Sequence, residues 1–275
     1  MRNAIRLCRA LLILVSVLQL AGCQKIIDKY WPGHGHGNGE DSTGNVEDYR
    51  IKKMKMTYRS VSTPPYQNGV VYYNQQNKPD SILFDDSLVN ALNNYSIARF
   101  FYFKYNAQNQ LTEYRFGADP GDLSNNSTHH WYWHNDEGRI IKDSAVTVLF
   151  EYITSVSYLD YDSAGRIYQE RFVNNEGGAN ETWDTVNYSY DDRGNLARLH
   201  SPFGPPVPVE YDNYPSYLRT NDVWMFIERN YSKNNTKETK AYNDAGLPLG
   251  FFGGVVFGFL SQGDPYEIEY ERINE

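Results

Sequence analysis

Apolar and polar residues alternate in short stretches along most of the chain. Val186-Asn187-Tyr188-Ser189-Tyr190 and Tyr266-Glu267-Ile268-Glu269-Tyr270-Glu271 put every second residue on one face, the period of a half-buried β-strand. Between such stretches a seven-residue pattern recurs: an aromatic, Asp or Asn, two free positions, Gly, a polar residue, then Ile or Leu. Tyr161-Asp162-Ser163-Ala164-Gly165-Arg166-Ile167 and Tyr190-Asp191-Asp192-Arg193-Gly194-Asn195-Leu196 are clear copies. His134 to Ile140 and Tyr242 to Pro248 fit the same frame, and looser copies start at Tyr73, Tyr105 and Tyr211, where Asn or Pro replaces Gly.

One unit therefore reads as strand, turn, strand. Asp or Asn at the head of the turn can fold its side chain onto the following amides, while Gly supplies the positive φ of a type I turn with a bulge. Gly138, Gly165, Gly194 and Gly246 are expected to be turn-forming structural residues, with Asn77 and Asn109 as the best non-glycine substitutes. The copies start 21 to 32 residues apart, room for two strands, a tight turn and a return loop. Seven such units predict an all-β domain over 48–275, an antiparallel meander of roughly twelve to fourteen strands. A sheet that large coils, splits or closes. The expected form is strongly curved or barrel-like, with two packed sheets or a propeller as alternatives.

The N-terminus carries a different signal. Arg2, Arg6 and Arg9 precede an apolar run from Ala10 to Leu20, too short for a comfortable membrane span and typical of a secretory leader. It ends in Leu20-Ala21-Gly22-Cys23, which resembles the lipobox of bacterial lipoproteins. The resemblance implies a signal peptide over 1–22 and lipid attachment at Cys23, with the protein anchored to the membrane through its acyl chains. Gln24, where many inner-membrane lipoproteins carry Asp, points to the outer membrane of a Gram-negative cell, with surface or periplasmic orientation left open. Residues 23–47 then form a tether, Gly- and His-rich from Trp31 to Asn45, that cannot bury enough apolar surface to order itself.

The repeats, in turn, are similar to the YD repeats of rearrangement-hotspot (Rhs) proteins, whose hairpins build a β shell. A lipobox followed by degenerate units of this kind resembles a lipoprotein family of unknown function with a porin-like β fold. No catalytic residue comes with either resemblance.

Composition narrows the choice of chemistry. The formal charge of -8 becomes -11 once the leader's three Arg are removed, which argues against a nucleic-acid partner. Cys8 falls in the leader and Cys23 carries lipid, so no thiol is left for a disulfide, a metal or a nucleophile. Twenty-four Tyr suit half-buried pleats. No G-x-S-x-G, H-E-x-x-H or phosphate-binding Gly loop occurs, and Asp160-x-Asp162-x-x-Gly165 lacks the later ligands of a calcium loop. No catalytic group, cofactor or metal ligand is assigned.

Counting back from each motif aromatic separates two faces. Phe101, Phe103, Tyr132, Leu159 and Tyr188 lie on the face expected to pack. His129, Trp131, Trp133 and Tyr158 lie on the more polar one and are the candidate ligand-binding residues, because indole faces stack on sugar rings while their edges hydrogen-bond. Trp183 and Trp224 are weaker candidates of the same kind. Leu249 to Leu260 reads as a buried strand or bend. These features point to a lipid-anchored envelope protein of binding or scaffolding type, with a glycan or another envelope protein as partner. The alternatives are a hydrolase of envelope or extracellular polysaccharide, whose carboxylates would converge in a cleft, and a purely structural repeat protein.

Overall fold

The alternating stretches become strands. A computed structural model describes residues 45–57, 66–85, 99–117, 127–148, 152–178, 181–200, 209–237, 239–251 and 264–273. The leader, Cys23, nearly all of the tether and residues 252–260 of the apolar run lie outside these. The strands are β1 (Tyr49–Thr57), β2 (Tyr66–Tyr73), β3 (Pro79–Phe84), β4 (Phe100–Tyr105), β5 (Leu111–Gly117), β6 (Ser127–His134), β7 (Ile140–Val148), β8 (Tyr152–Tyr161), β9 (Ile167–Asn174), β10 (Thr182–Tyr190), β11 (Leu196–His200), β12 (Tyr211–Pro215), β13 (Asn234–Thr236), β14 (Thr239–Tyr242), β15 (Pro248–Phe251) and β16 (Asp264–Arg272). β1 to β11 run as a meander in one antiparallel twelve-stranded sheet, and β16 returns to pair with β1. β11 and β16 are its two edges. The meander is as expected; the sheet does not close into a barrel.

Six copies of one turn connect the hairpins. Asn74, Asn106, Asn135, Asp162, Asp191 and Asn243 each accept, through side-chain Oδ1, the backbone N–H groups two and four residues ahead. In the Asp162 copy both bonds are 2.9 Å. The third residue after each takes positive φ: +57° at Asn77, +59° at Asn109, and +75° to +86° at Gly138, Gly165, Gly194 and Gly246. A register shift sits beside every motif aromatic, as between Asp160 and Tyr161, which is the bulge that such a turn imposes.

The aromatic then ties its unit to the preceding one. Tyr105 donates to the Pro79 carbonyl, Tyr161 to Ile140 and Tyr190 to Ile167, the residue opening the strand after the previous turn in each case. Tyr73, Tyr211 and Tyr270 do the same to Ile51, Leu196 and Pro248. The polar position before that strand adds a cation over the ring, with Arg139 over Tyr161 and Arg166 over Tyr190. Six of the 24 Tyr serve as these staples.

The frame starting at Tyr211 does not form a hairpin of the main sheet. Pro215 stands at the glycine position, and its fixed φ excludes the positive region. β12 pairs instead with β13, and the chain turns into a 3-10 helix, Tyr217–Thr220, and a short helix α1, Asp222–Ile227. Ser216 and Asn221 cap them by accepting the N–H groups of Leu218 and Val223.

α1 lies on the packed face. Trp224 is fully buried with its ring edge-on to Phe103 of β4 at 5.7 Å, and Phe226 meets Tyr132 of β6 at 5.2 Å. Two residues after α1, Arg229 reaches Glu170 of β9. Five strand spacings between β4 and β9 would cover about 24 Å in a flat sheet, against roughly 9 Å for a six-residue helix. One short segment touches both because the sheet curls around it. Phe101, Phe103, Tyr132, Leu159 and Tyr188 are buried on this inner face as expected; of the apolar run, Phe251 is buried but Leu249, its first residue, is 38% exposed because it lies on the other side of β15 from buried Pro248.

Candidate functional site

The outer face gathers the sequence-selected residues on consecutive strands. Pairing aligns Trp133 with Lys142, Lys142 with Tyr158, and Tyr158 with Arg171. Trp133 is 47% exposed and Trp183, two strands beyond Tyr158, is 52% exposed. The Tyr158 and Trp183 rings are near-parallel, 18° apart with centroids at 6.1 Å. Lys142 Nζ stands 5.3 Å from the Trp133 ring centre and 5.5 Å from that of Tyr158, bridging the row.

Hydrogen-bonding groups edge this row. The Tyr158 hydroxyl donates to Glu176 at 2.7 Å, and the Trp183 indole N–H donates to Glu181 at 2.7 Å. The Glu176 carboxylate disfavours a second negative charge and raises the Tyr158 phenol. Donation from the Gly177 amide and from Trp183 holds Glu181 below the usual carboxylate range. Arg171 pairs with Asp160 at 3.4 Å farther along the same strands. The surface thus combines flat apolar rings with donors and acceptors at their rims.

His129 and Trp131 share the face but form a separate, half-buried pair. Their ring centres are 3.9 Å apart, and His129 Nε2 is 3.0 Å from Glu113 Oε2. Burial holds His129 below its ordinary value against the opposing pull of Glu113. Burial acts upward on Glu113, yet hydrogen bonds from Lys104 and His129 outweigh it and hold that carboxyl low. Trp183 belongs with the exposed row, whereas Trp224, also considered from sequence, is core.

A second cluster, not foreseen, sits under the inner face. Tyr114, His130, Asp143, Ser155, Ser157, Glu170 and Arg229, among others, line a cavity of about 240 Å³. Arg229 contacts Asp143 at 2.8 Å and Glu170 at 3.7 Å, with its side chain 14% exposed. His130 Nδ1 lies 2.8 Å from the other Asp143 oxygen, and the Tyr188 hydroxyl donates to Glu170 at 2.8 Å. Burial alone would raise Asp143; His130 and Arg229 together hold it below the usual carboxylate range. The neighbouring carboxylates raise Arg229 further despite its burial, so it stays charged. Asp143 is therefore suited to accepting hydrogen bonds and poorly suited to giving up a proton. A readable signal did exist, because His130, Asp143, Ser157 and Glu170 are polar residues at inner-face positions. Arg229, which organises them, comes from a segment whose helical fold the repeat pattern hides.

Asp160 and Asp162, read as a turn, are one: Asp162 accepts the turn amides. Among the described residues no group of three His, Cys, Asp or Glu side chains is placed to hold a metal ion. No protein-family model matches this chain, and no curated protein matches it.

Proposed function

We propose that this is a lipid-anchored cell-envelope protein that binds glycans through the outer face of its sheet. The observation that carries the reading is the row of exposed Trp133 and Trp183 with half-buried Tyr158 between them, with Glu176, Lys142 and Glu181 at its edges. Sugar rings are apolar on their faces and hydroxylated at their rims, which complements such a row. Cys23 and the tether supply the anchor, and the outer membrane is the membrane in this reading.

Binding to insoluble polysaccharides tests the reading. The detergent-solubilised protein should sediment with mannan or cellulose, and Trp133→Ala combined with Trp183→Ala should release it while the fold is retained. Sedimentation unchanged in that variant would refute the outer-face site. Capture of an envelope protein in place of a glycan would favour the scaffolding reading. Anchoring is tested by Cys23→Ser, which should abolish fatty-acid labelling and move the protein out of the membrane fraction.

A further inference from the structure

We propose that the inner cavity is a second site, for one neutral polyhydroxylated ring of monosaccharide size. It lies on the opposite face of the sheet from the aromatic row and does not depend on that row's function.

The ground is the polar set around this space. Asp143 and Glu170 are engaged by His130, Arg229 and Tyr188, yet an ionised carboxylate has about four acceptor sites. Acceptor capacity therefore remains, and the Ser155 and Ser157 hydroxyls can both donate and accept. Aromatic walls come from Tyr114, Phe116 and Tyr132, with the Tyr114 and Phe116 rings 5.5 Å apart.

Charge and size select the ligand class. Asp143 and Glu170 repel an anion, and the one guanidinium of the cluster, Arg229, is already committed to them. A cation would face that same Arg229. A neutral polyol matches the mixture of acceptors and donors without adding charge. The space of about 240 Å³ accommodates a single ring. Ser155, Ser157, Phe116 and Ile227, all on its lining, are only partly buried.

The test is calorimetric titration of the full-length mature protein with glucose, galactose, mannose and N-acetylglucosamine, each alone. One or more should bind with one-to-one stoichiometry. Ser157→Ala should weaken that binding about tenfold and leave the ligand-free unfolding midpoint nearly unchanged, since Ser157 lines the cavity and is only partly buried. Trp133→Ala with Trp183→Ala should leave it intact. The proposal is overturned if none of the four sugars binds. It is equally overturned if Ser157→Ala leaves the affinity unchanged, or if the outer-face variant abolishes the binding.

Discussion

Arg229→Met isolates the contribution of the buried charge cluster. Arg229 has positive φ, +51°, and Met carries comparable backbone strain there, so the change chiefly removes the guanidinium. Asp143, 7% exposed at its side chain, and Glu170, 14% exposed, would both be left buried without their cation. The bond from Arg229 to the Phe226 carbonyl at 2.7 Å, which secures the end of α1, is lost as well. Removing one partner of a buried ion pair costs about 3–5 kcal/mol, and urea unfolding at pH 7.5 should show a loss in that range. The loss should depend on pH. In the wild type Asp143 is held low, so its stabilisation is present above its unfolded value, near 4, and disappears as pH falls through the lower folded value. In the variant Asp143 keeps His130 but loses Arg229 against its burial, so it takes up a proton more readily than in the wild type on going from neutral pH toward pH 4. The gap between the two proteins should therefore narrow on acidification. A loss below about 1 kcal/mol at pH 7.5, or one that is constant down to pH 4.5, would refute the reasoning.

Other outcomes follow from the repeats and from one strained carboxyl. His134 occupies the position at which other units staple with Tyr, so His134→Tyr should add a bond to the Leu111 carbonyl and stabilise by about 1 kcal/mol; Tyr161→Phe should lose about 1 kcal/mol by breaking the bond to Ile140, both read by urea midpoint. Nothing lies within 4 Å of a methyl added at Gly165, where φ is +76°, so Gly165→Ala should cost about 1 kcal/mol from backbone conformation alone and Gly165→Asn measurably less. Burial pushes Asp212 up to about 6, against a hydrogen bond from Tyr242. The folded state thus binds this proton more tightly, and the group's contribution to stability is lost as pH rises through about 6. Asp212→Asn should stabilise by at most about 3 kcal/mol at pH 7.5 and by little near pH 4, as a pH series of thermal melts would show.

Local chemistry made much of this fold legible. The Asp or Asn head and the Gly three residues later specify the turn almost completely, and even Asn77 and Asn109 take the positive φ expected of them. Strand parity separated Tyr132 from Trp133 correctly, since period-2 alternation acts residue by residue. The Tyr211 unit was misassigned because the pattern tolerates Pro at a position where the geometry does not. Missing that turn hid α1, and with it the reason the sheet curls. The approach of Trp183 to Tyr158 was not legible, because it depends on a register across β9 that no local pattern encodes. The inner cluster joins residues distant in sequence, such as Asp143 and Arg229, which are 86 apart, a juxtaposition that only the assembled sheet produces.

Glycan recognition by the outer face is tested most directly by tryptophan fluorescence during titration with soluble mannan, β-glucan and peptidoglycan fragments. At least one should produce a saturable change that disappears in the folded Trp133→Ala, Trp183→Ala variant and weakens about tenfold or more in either single variant. A saturable change of undiminished affinity in the double variant, or no response to any of these glycans, would contradict it.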